Sequence, residues 1–269
     1  MTKPILHFAH ANGVPSACYQ KMLTQLAEDF QVVMIPIIGL DEKYPVDNHW
    51  WSLTEQVADS IKRQSGGQAV YVLGHSLGAM TSYMVAHRFP HLVKALVMLD
   101  PPMFNGMDAY KLHLAKVLGK AENLTPAAKS KNRRDIWPNR AEAAASLRPK
   151  SLFKTFDEQC FADYINYGLK DCANGVCLTI PVSTEVAIFN NVPTNTWRFR
   201  KPLAMPAAIV VGKDSHFANT GYPERLAQEQ PVSLHYTQGG HMFPLEYPLE
   251  TAAFVKELFD DLILYSFLL

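Results

Sequence analysis

Five consecutive residues, Gly74-His75-Ser76-Leu77-Gly78, constrain this chain more than any other feature. They follow directly on the apolar run ending Tyr71-Val72-Leu73 and open an amphipathic stretch that begins near Leu77. A G-x-S-x-G in a strand–turn–helix context holds its serine in a tight, strained turn. Glycine is needed two residues to either side, because bulkier side chains would collide there. The Ser76 hydroxyl then stands at a helix N-terminus, where the Leu77 N–H and the helix dipole can stabilise an oxyanion.

The rest of the chain supplies a matching framework. Short apolar runs predict strands at Ile5–Ala9, Val32–Ile37, Ala69–Gly74, Ala95–Leu99, Ala207–Gly212 and Val232–Thr237. Amphipathic spacing predicts helices at Ala17–Phe30, Asn48–Gln64, Leu77–Phe89, Tyr222–Gln230 and Leu249–Leu264, the second capped by Asn48. Strands that are apolar throughout are buried on both faces, so the fold class is α/β, with a mostly parallel sheet flanked by helices. Residues 101–201 read as helices and loops with little strand signal. They are expected to form an inserted, mainly helical cap on a core made of 1–100 and 202–269. An insertion of that length is far longer than an ordinary connection and suits a cover over the strand ends.

A serine hydroxyl needs a base. Of ten histidines, His241 is placed best, in the Gly239-Gly240-His241-Met242-Phe243-Pro244 loop between the last strand and the last helix. His75 is expected to point away from the serine. His216 is a weaker second choice for the base, and His87 and His91 read as surface residues. A carboxylate must orient the base. Asp214 follows the first strand after the insertion, and Asp100 ends the strand after the serine's helix, so both are candidates.

Composition narrows the function. The 269 residues are 48% hydrophobic and 19% charged, as in a folded globular protein, and the formal net charge is zero. Nothing global points to nucleic acid or to an anionic membrane. The apolar start is broken by His7 and His10 and is too short for a signal peptide. The apolar end, Leu258–Leu269, is too short to span a bilayer. A cytoplasmic location is the expectation from the missing signals. Cys18, Cys160, Cys172 and Cys177 are then free thiols, and Cys172 with Cys177 lacks the second pair a metal site needs.

Taken together, the HANGVP loop at 10–15, GHSLG at 74–78, LDPP at 99–102, VVGKDS at 210–215 and GGHMFPLEYP at 239–248 resemble the α/β-hydrolase fold superfamily over nearly the whole chain. The HANG loop, with Arg134-Asp135-Ile136-Trp137-Pro138-Asn139-Arg140 in the cap, resembles a group of bacterial hydrolases. The resemblance implies a Ser76–Asp214–His241 triad, because chain order together with the loop position after the first strand beyond the insertion favours Asp214 over Asp100. It implies an oxyanion hole from the Leu77 N–H and, with Asn12-Gly13-Val14-Pro15 aligned on the H-G-x-P pattern, from Val14. The alternative frame, His10-Ala11-Asn12, makes Asn12 the donor, with His10 supporting the loop. The activity implied is two-step acyl transfer without metal or organic cofactor, on a small-molecule ester-like substrate. Carboxylic ester hydrolysis comes first. C–C bond hydrolysis, thioester hydrolysis and acyl transfer use the same triad, and a non-catalytic ligand-binding member of the fold is the remaining rival.

Two features of the cap bear on substrate. Met103, Phe104, Trp137, Phe153, Phe156, Phe161, Tyr164 and Trp197 either line an acyl pocket or form the cap's own core, and the second reading suits any single one better. Between Lys129 and Lys154 eight basic residues face only Asp135 and Glu142. This reads either as a solvated face or as a basic edge that attracts anionic substrates such as carboxylate-bearing esters or CoA thioesters.

Overall fold

The computed structural model describes residues 3–104 and 106–266. Met1, Thr2 and the last three residues of the apolar C-terminal stretch lie outside the described residues. The described residues form nine strands: β1 Ile5–Ala9, β2 Gln31–Met34, β3 Val70–His75, β4 Val93–Leu99, β5 Ile136–Trp137, β6 Leu169–Cys172, β7 Gly175–Leu178, β8 Ala207–Gly212 and β9 Val232–Thr237. Six of them make one sheet in the order β2-β1-β3-β4-β8-β9, and every pairing is parallel.

The central strands β3 and β8 are buried at every residue, as their unbroken apolar runs require. The helix Leu77–Arg88 packs between β3 and β4, and its residues 77–86 are all buried. Helix Trp51–Ser65 packs on the same face, and Pro248–Ser266 packs against Gln20–Leu26 on the other. The chain runs from β1 out to β2 and returns to β3 on the opposite side of β1. That reversal opens a crevice at the carboxyl ends of the strands, where such sheets bind ligands.

Two expected elements differ. The strand expected to reach Ile37 ends at Met34, because Pro36 has no N–H for the ladder. The helix expected from Asn48 is broken: His49 and Trp50 have φ of 65° and 60°, and the regular helix starts at Trp51. Its capping oxygen comes from Asp47, whose Oδ1 accepts from the Ser52 N–H at 2.9 Å, and not from Asn48. The Trp50 indole N–H donates to the Ile188 carbonyl at 2.9 Å, anchoring this segment to the insertion.

The insertion between β4 and β8 is mainly helical, but it also contains a three-stranded antiparallel sheet, β5-β7-β6, which the sequence reading did not resolve. These strands are two to four residues long, too short for a periodic signal. Cys172 and Cys177 are half-buried on its β6–β7 hairpin. The insertion is tied down at several points around the strand ends. The Asp157 N–H donates to the Leu245 carbonyl at 2.8 Å, and Lys21 pairs with Asp157 at 2.7 Å. The His49 N–H donates to the Asn191 carbonyl at 2.9 Å. Phe153 packs against Phe156, Phe161 and the ring of Tyr164, so the three phenylalanines belong to the insertion's own core. No helix among the described residues is long and apolar enough to cross a membrane.

Candidate active site

Ser76 follows β3 with φ 52° and ψ −113°, a conformation L-residues avoid. The Ser76 N–H donates to the Leu99 carbonyl at 2.9 Å, and the Gly78 N–H to the His10 carbonyl at 3.0 Å. A Cβ on Gly78 would lie 2.1 Å from the Ala9 oxygen, and one on Gly74 would lie 2.4 Å from the Gly78 oxygen. Both glycines are therefore dictated by backbone approach, which lets the turn sit against the end of β1.

His241 reaches Ser76 from the loop after β9. Its Nε2 lies 2.9 Å from Ser76 Oγ, and its Nδ1 lies 2.6 Å from Asp100 Oδ2. A carboxylate only accepts, so Nδ1 carries the hydrogen and Nε2 presents its lone pair to the serine hydroxyl. The Asp100 side chain is fully buried, while His241's is one-third exposed. Asp100 is held from every side: Oδ1 accepts from the Gly212 N–H at 3.1 Å, and Oδ2 also accepts from Ser215 Oγ at 2.5 Å. Its φ of 46° turns the side chain across the end of β8.

The carboxylate that lies against His241 is therefore that of Asp100, and not that of Asp214, the acid expected from the sequence. Asp214 is exposed, and its backbone N–H donates to the Gly239 carbonyl at 3.0 Å. Among the described residues its carboxylate makes no hydrogen bond to His241. Asp100 and Asp214 follow the adjacent strands β4 and β8, so both carboxylates start near His241. Only the backbone turn at Asp100 aims one at it. The expected rival base, His216, is exposed.

The loop after β1 also differs. The Val14 N–H donates to the Ala11 carbonyl at 3.2 Å and is spent inside the turn. The Asn12 N–H has no acceptor among the described residues, as in the alternative frame, and neither has that of Leu77. His10 braces this loop: Nδ1 donates to the Ala11 carbonyl at 2.7 Å, and Nε2 accepts from the Ile38 N–H at 2.8 Å. Burial pushes its pKa down to about 4, so the ring is neutral.

One chain of hydrogen bonds was missed in the sequence. The His75 ring is fully buried, and its pKa is lowered well below the usual value by desolvation and by the neighbouring His241. Its Nε2 donates to the His241 carbonyl at 2.8 Å, so its Nδ1 accepts from Tyr19 Oη, also at 2.8 Å. Tyr19 Oη in turn takes a long contact, 3.4 Å, from the Ala11 N–H. Three strand-end loops are thereby joined. Tyr19 reads in sequence only as an apolar helix position, and its partner is 56 residues away.

The rim near His241 carries Phe217, with ring centroids 5.6 Å apart, and Phe104 packs on Phe217 at 6.4 Å. Of the cap aromatics singled out above, Phe104 is the one that adjoins the site through such ring contacts, and Trp197 is 60% exposed. Much of the basic run is paired: Arg133 with Glu185, Arg140 with Asp171, Arg148 with Glu158 and Lys131 with Glu122. The solvated-face reading therefore covers most of it.

The model of the alpha/beta hydrolase fold family matches residues 8–248. A 2-(acetamidomethylene)succinate hydrolase of Mesorhizobium japonicum is 28% identical over 99 residues, 36% of this chain and 35% of that protein, so the match spans about a third of its length. The crystal structure of an E-2-(acetamidomethylene)succinate hydrolase superposes with a TM-score of 0.71 at 18% identity, covering 97% of this chain and 92% of the other. The thioesterase domain of a curacin biosynthetic pathway superposes with a TM-score of 0.68 at 20% identity, covering 94% and 90%. At such identities the superpositions are likenesses of fold.

Proposed function

Because the chain belongs to the α/β-hydrolase fold family, we propose that it is a serine hydrolase in which Ser76, His241 and Asp100 act as the triad on a small acyl substrate. The observation that carries this reading is the continuous Ser76 Oγ–His241 Nε2 and His241 Nδ1–Asp100 Oδ2 contact, at 2.9 and 2.6 Å. His241 takes the Ser76 proton as Oγ adds to the acyl carbon. The imidazolium formed is stabilised by Asp100, and the oxyanion by the Leu77 and Asn12 N–H groups. His241 then protonates the leaving group as its bond to the acyl carbon breaks. Water, deprotonated by His241, releases the acyl group and restores the Ser76 hydroxyl. The insertion covers the strand ends as a cap.

The substrate reading moves away from a simple carboxylic ester. The proteins to which this chain is similar include a 2-(acetamidomethylene)succinate hydrolase and, in fold, a thioesterase domain. They favour the specialised acyl hydrolases, cleaving C–C, C–N or thioester bonds, over a general carboxylesterase. A panel of p-nitrophenyl esters, acyl-CoA thioesters and acyl-activated C–C substrates tests this, with Ser76→Ala as control. Selective turnover of one class, abolished in Ser76→Ala, is expected. Broad turnover of simple esters would return the reading to a carboxylesterase.

A further inference from the structure

A cluster of buried polar groups joins the insertion to the loop after β1. Ser130 Oγ donates to Glu185 Oε1 at 2.7 Å, and Arg133 Nη2 lies 2.6 Å from Glu185 Oε2. The Glu185 side chain is 7% exposed and that of Arg133 is 23% exposed. Asn12 Nδ2 donates to the Glu185 carbonyl at 3.1 Å. A Cβ on Gly13 would come within 3.0 Å of Glu185 Oε2. The ion pair therefore sits against the backbone next to the proposed oxyanion donor. Tyr164, 1% exposed, turns its hydroxyl towards the Arg133 guanidinium.

Hydrogen-bonding capacity is left over in this cluster, and most of it is donor capacity. Glu185 Oε1 is taken by Ser130, and Oε2 faces Arg133. Arg133 Nε is buried without an acceptor, and Tyr164 Oη makes no aligned hydrogen bond among the described residues. The spare acceptors are Asn12 Oδ1 and Glu185 Oε2, the second lying 2.6 Å from Arg133 Nη2 as an ion pair without an aligned hydrogen bond. Leaving such groups unpaired costs about 1–3 kcal/mol each, and a guanidinium cannot escape by losing its proton. Spare buried donors beside a reacting centre mark a place for a ligand's acceptors. The acceptor that best suits an arginine held in one orientation is a carboxylate. Glu185 neutralises the cation when no substrate is present, which lowers the cost of keeping it buried.

Resting on the hydrolase reading, we propose that Arg133, braced by Glu185 and assisted by Tyr164, recognises a carboxylate on the acyl part of the substrate. The substrate class is then an acyl derivative that carries a second, free carboxylate, with the reacting carbonyl at Ser76 and the free carboxylate at Arg133.

The test compares kcat/KM for p-nitrophenyl hemisuccinate and p-nitrophenyl butyrate. The wild-type protein is expected to favour the hemisuccinate at least tenfold, through KM. In Arg133→Gln that ratio falls at least tenfold, and in Arg133→Lys, which keeps the charge and loses Nε, it recovers only in part. The ratio is read within each protein, so a smaller folded fraction does not disturb it, and Arg133→Lys serves if the glutamine variant fails to fold. Independently of turnover, Ser76→Ala is titrated calorimetrically with succinate. Binding that disappears in Ser76→Ala/Arg133→Gln supports the site. An unchanged ratio, or succinate binding of equal strength in both proteins, overturns it. Fluorophosphonate labelling separates the two readings: labelling at Ser76 without charge preference removes the carboxylate site alone, whereas absence of labelling removes the hydrolase reading itself.

Discussion

The buried ring of His75 donates a hydrogen bond to the backbone carbonyl of His241, 2.8 Å away, while its other nitrogen receives the hydroxyl hydrogen of Tyr19. The residue preceding the nucleophile thus holds the loop that carries the base. Tyr19 fixes the tautomer, since without its donor the ring could carry its hydrogen on Nδ1 and turn a lone pair towards the carbonyl. Tyr19→Phe is expected to lower kcat about tenfold, the worth of one hydrogen bond, with KM little changed. His75→Leu should cost more, and His75→Gln, which keeps an N–H for the carbonyl, should recover part of it. Equal changes in kcat and KM across the series would show that the network does not position His241.

Asp100 and Asp214 separate cleanly by mutation. Asp100→Asn keeps the shape but lets the amide donate towards Nδ1, favouring the wrong tautomer of His241. A loss in kcat of about 10⁴ is expected, as in other triads. Asp214→Asn, at an exposed carboxylate, should stay within about twofold of wild type by the small effects usual for surface substitutions. Steady-state kinetics on any substrate that is turned over decides the matter, and the reverse ranking would return the acid to Asp214.

Gly78→Ala places a methyl 2.1 Å from a backbone oxygen of β1. Neither partner is a flexible side chain, so the turn or the strand must shift. Loss of soluble protein, or a melting temperature lowered by more than 10 °C with fluorophosphonate labelling abolished, is the expected result; overpacking of this kind commonly costs about 1–3 kcal/mol or more. Wild-type stability with full labelling would show that the serine turn does not depend on this approach.

Stability should fall on acidification. Burial lowers His7 to about 3 and His10 to about 4, against 6.5 unperturbed. Between those values and 6.5 the unfolded chain binds protons that the folded chain does not. Stability is therefore fully present above pH 6.5 and is lost as pH falls towards 4, by about 1.4 kcal/mol per pH unit for each histidine. Urea midpoints between pH 7 and 4 measure the slope. His7→Asn should lower the slope by about 1.4 kcal/mol per pH unit, one histidine's share, and an unchanged slope would mean that His7 is not buried neutral.

The sequence by itself determined the parallel core and the insertion, and it singled out Ser76 and His241 as the candidate nucleophile and base that the fold brings to 2.9 Å. These follow from local patterns: apolar runs of strand length, a glycine-flanked serine between strand and helix, and a glycine-rich loop after the last strand. Tertiary structure decided what depends on residues far apart in the chain. Asp100 and Asp214 follow neighbouring strands, and only the backbone turn at Asp100 aims a carboxylate at His241, where hydrogen bonds from Gly212 and Ser215 hold its two oxygens. The Tyr19–His75 contact likewise exists only once the strand ends have come together, and the Arg133–Glu185 pair against Gly13 only once the insertion has packed on them.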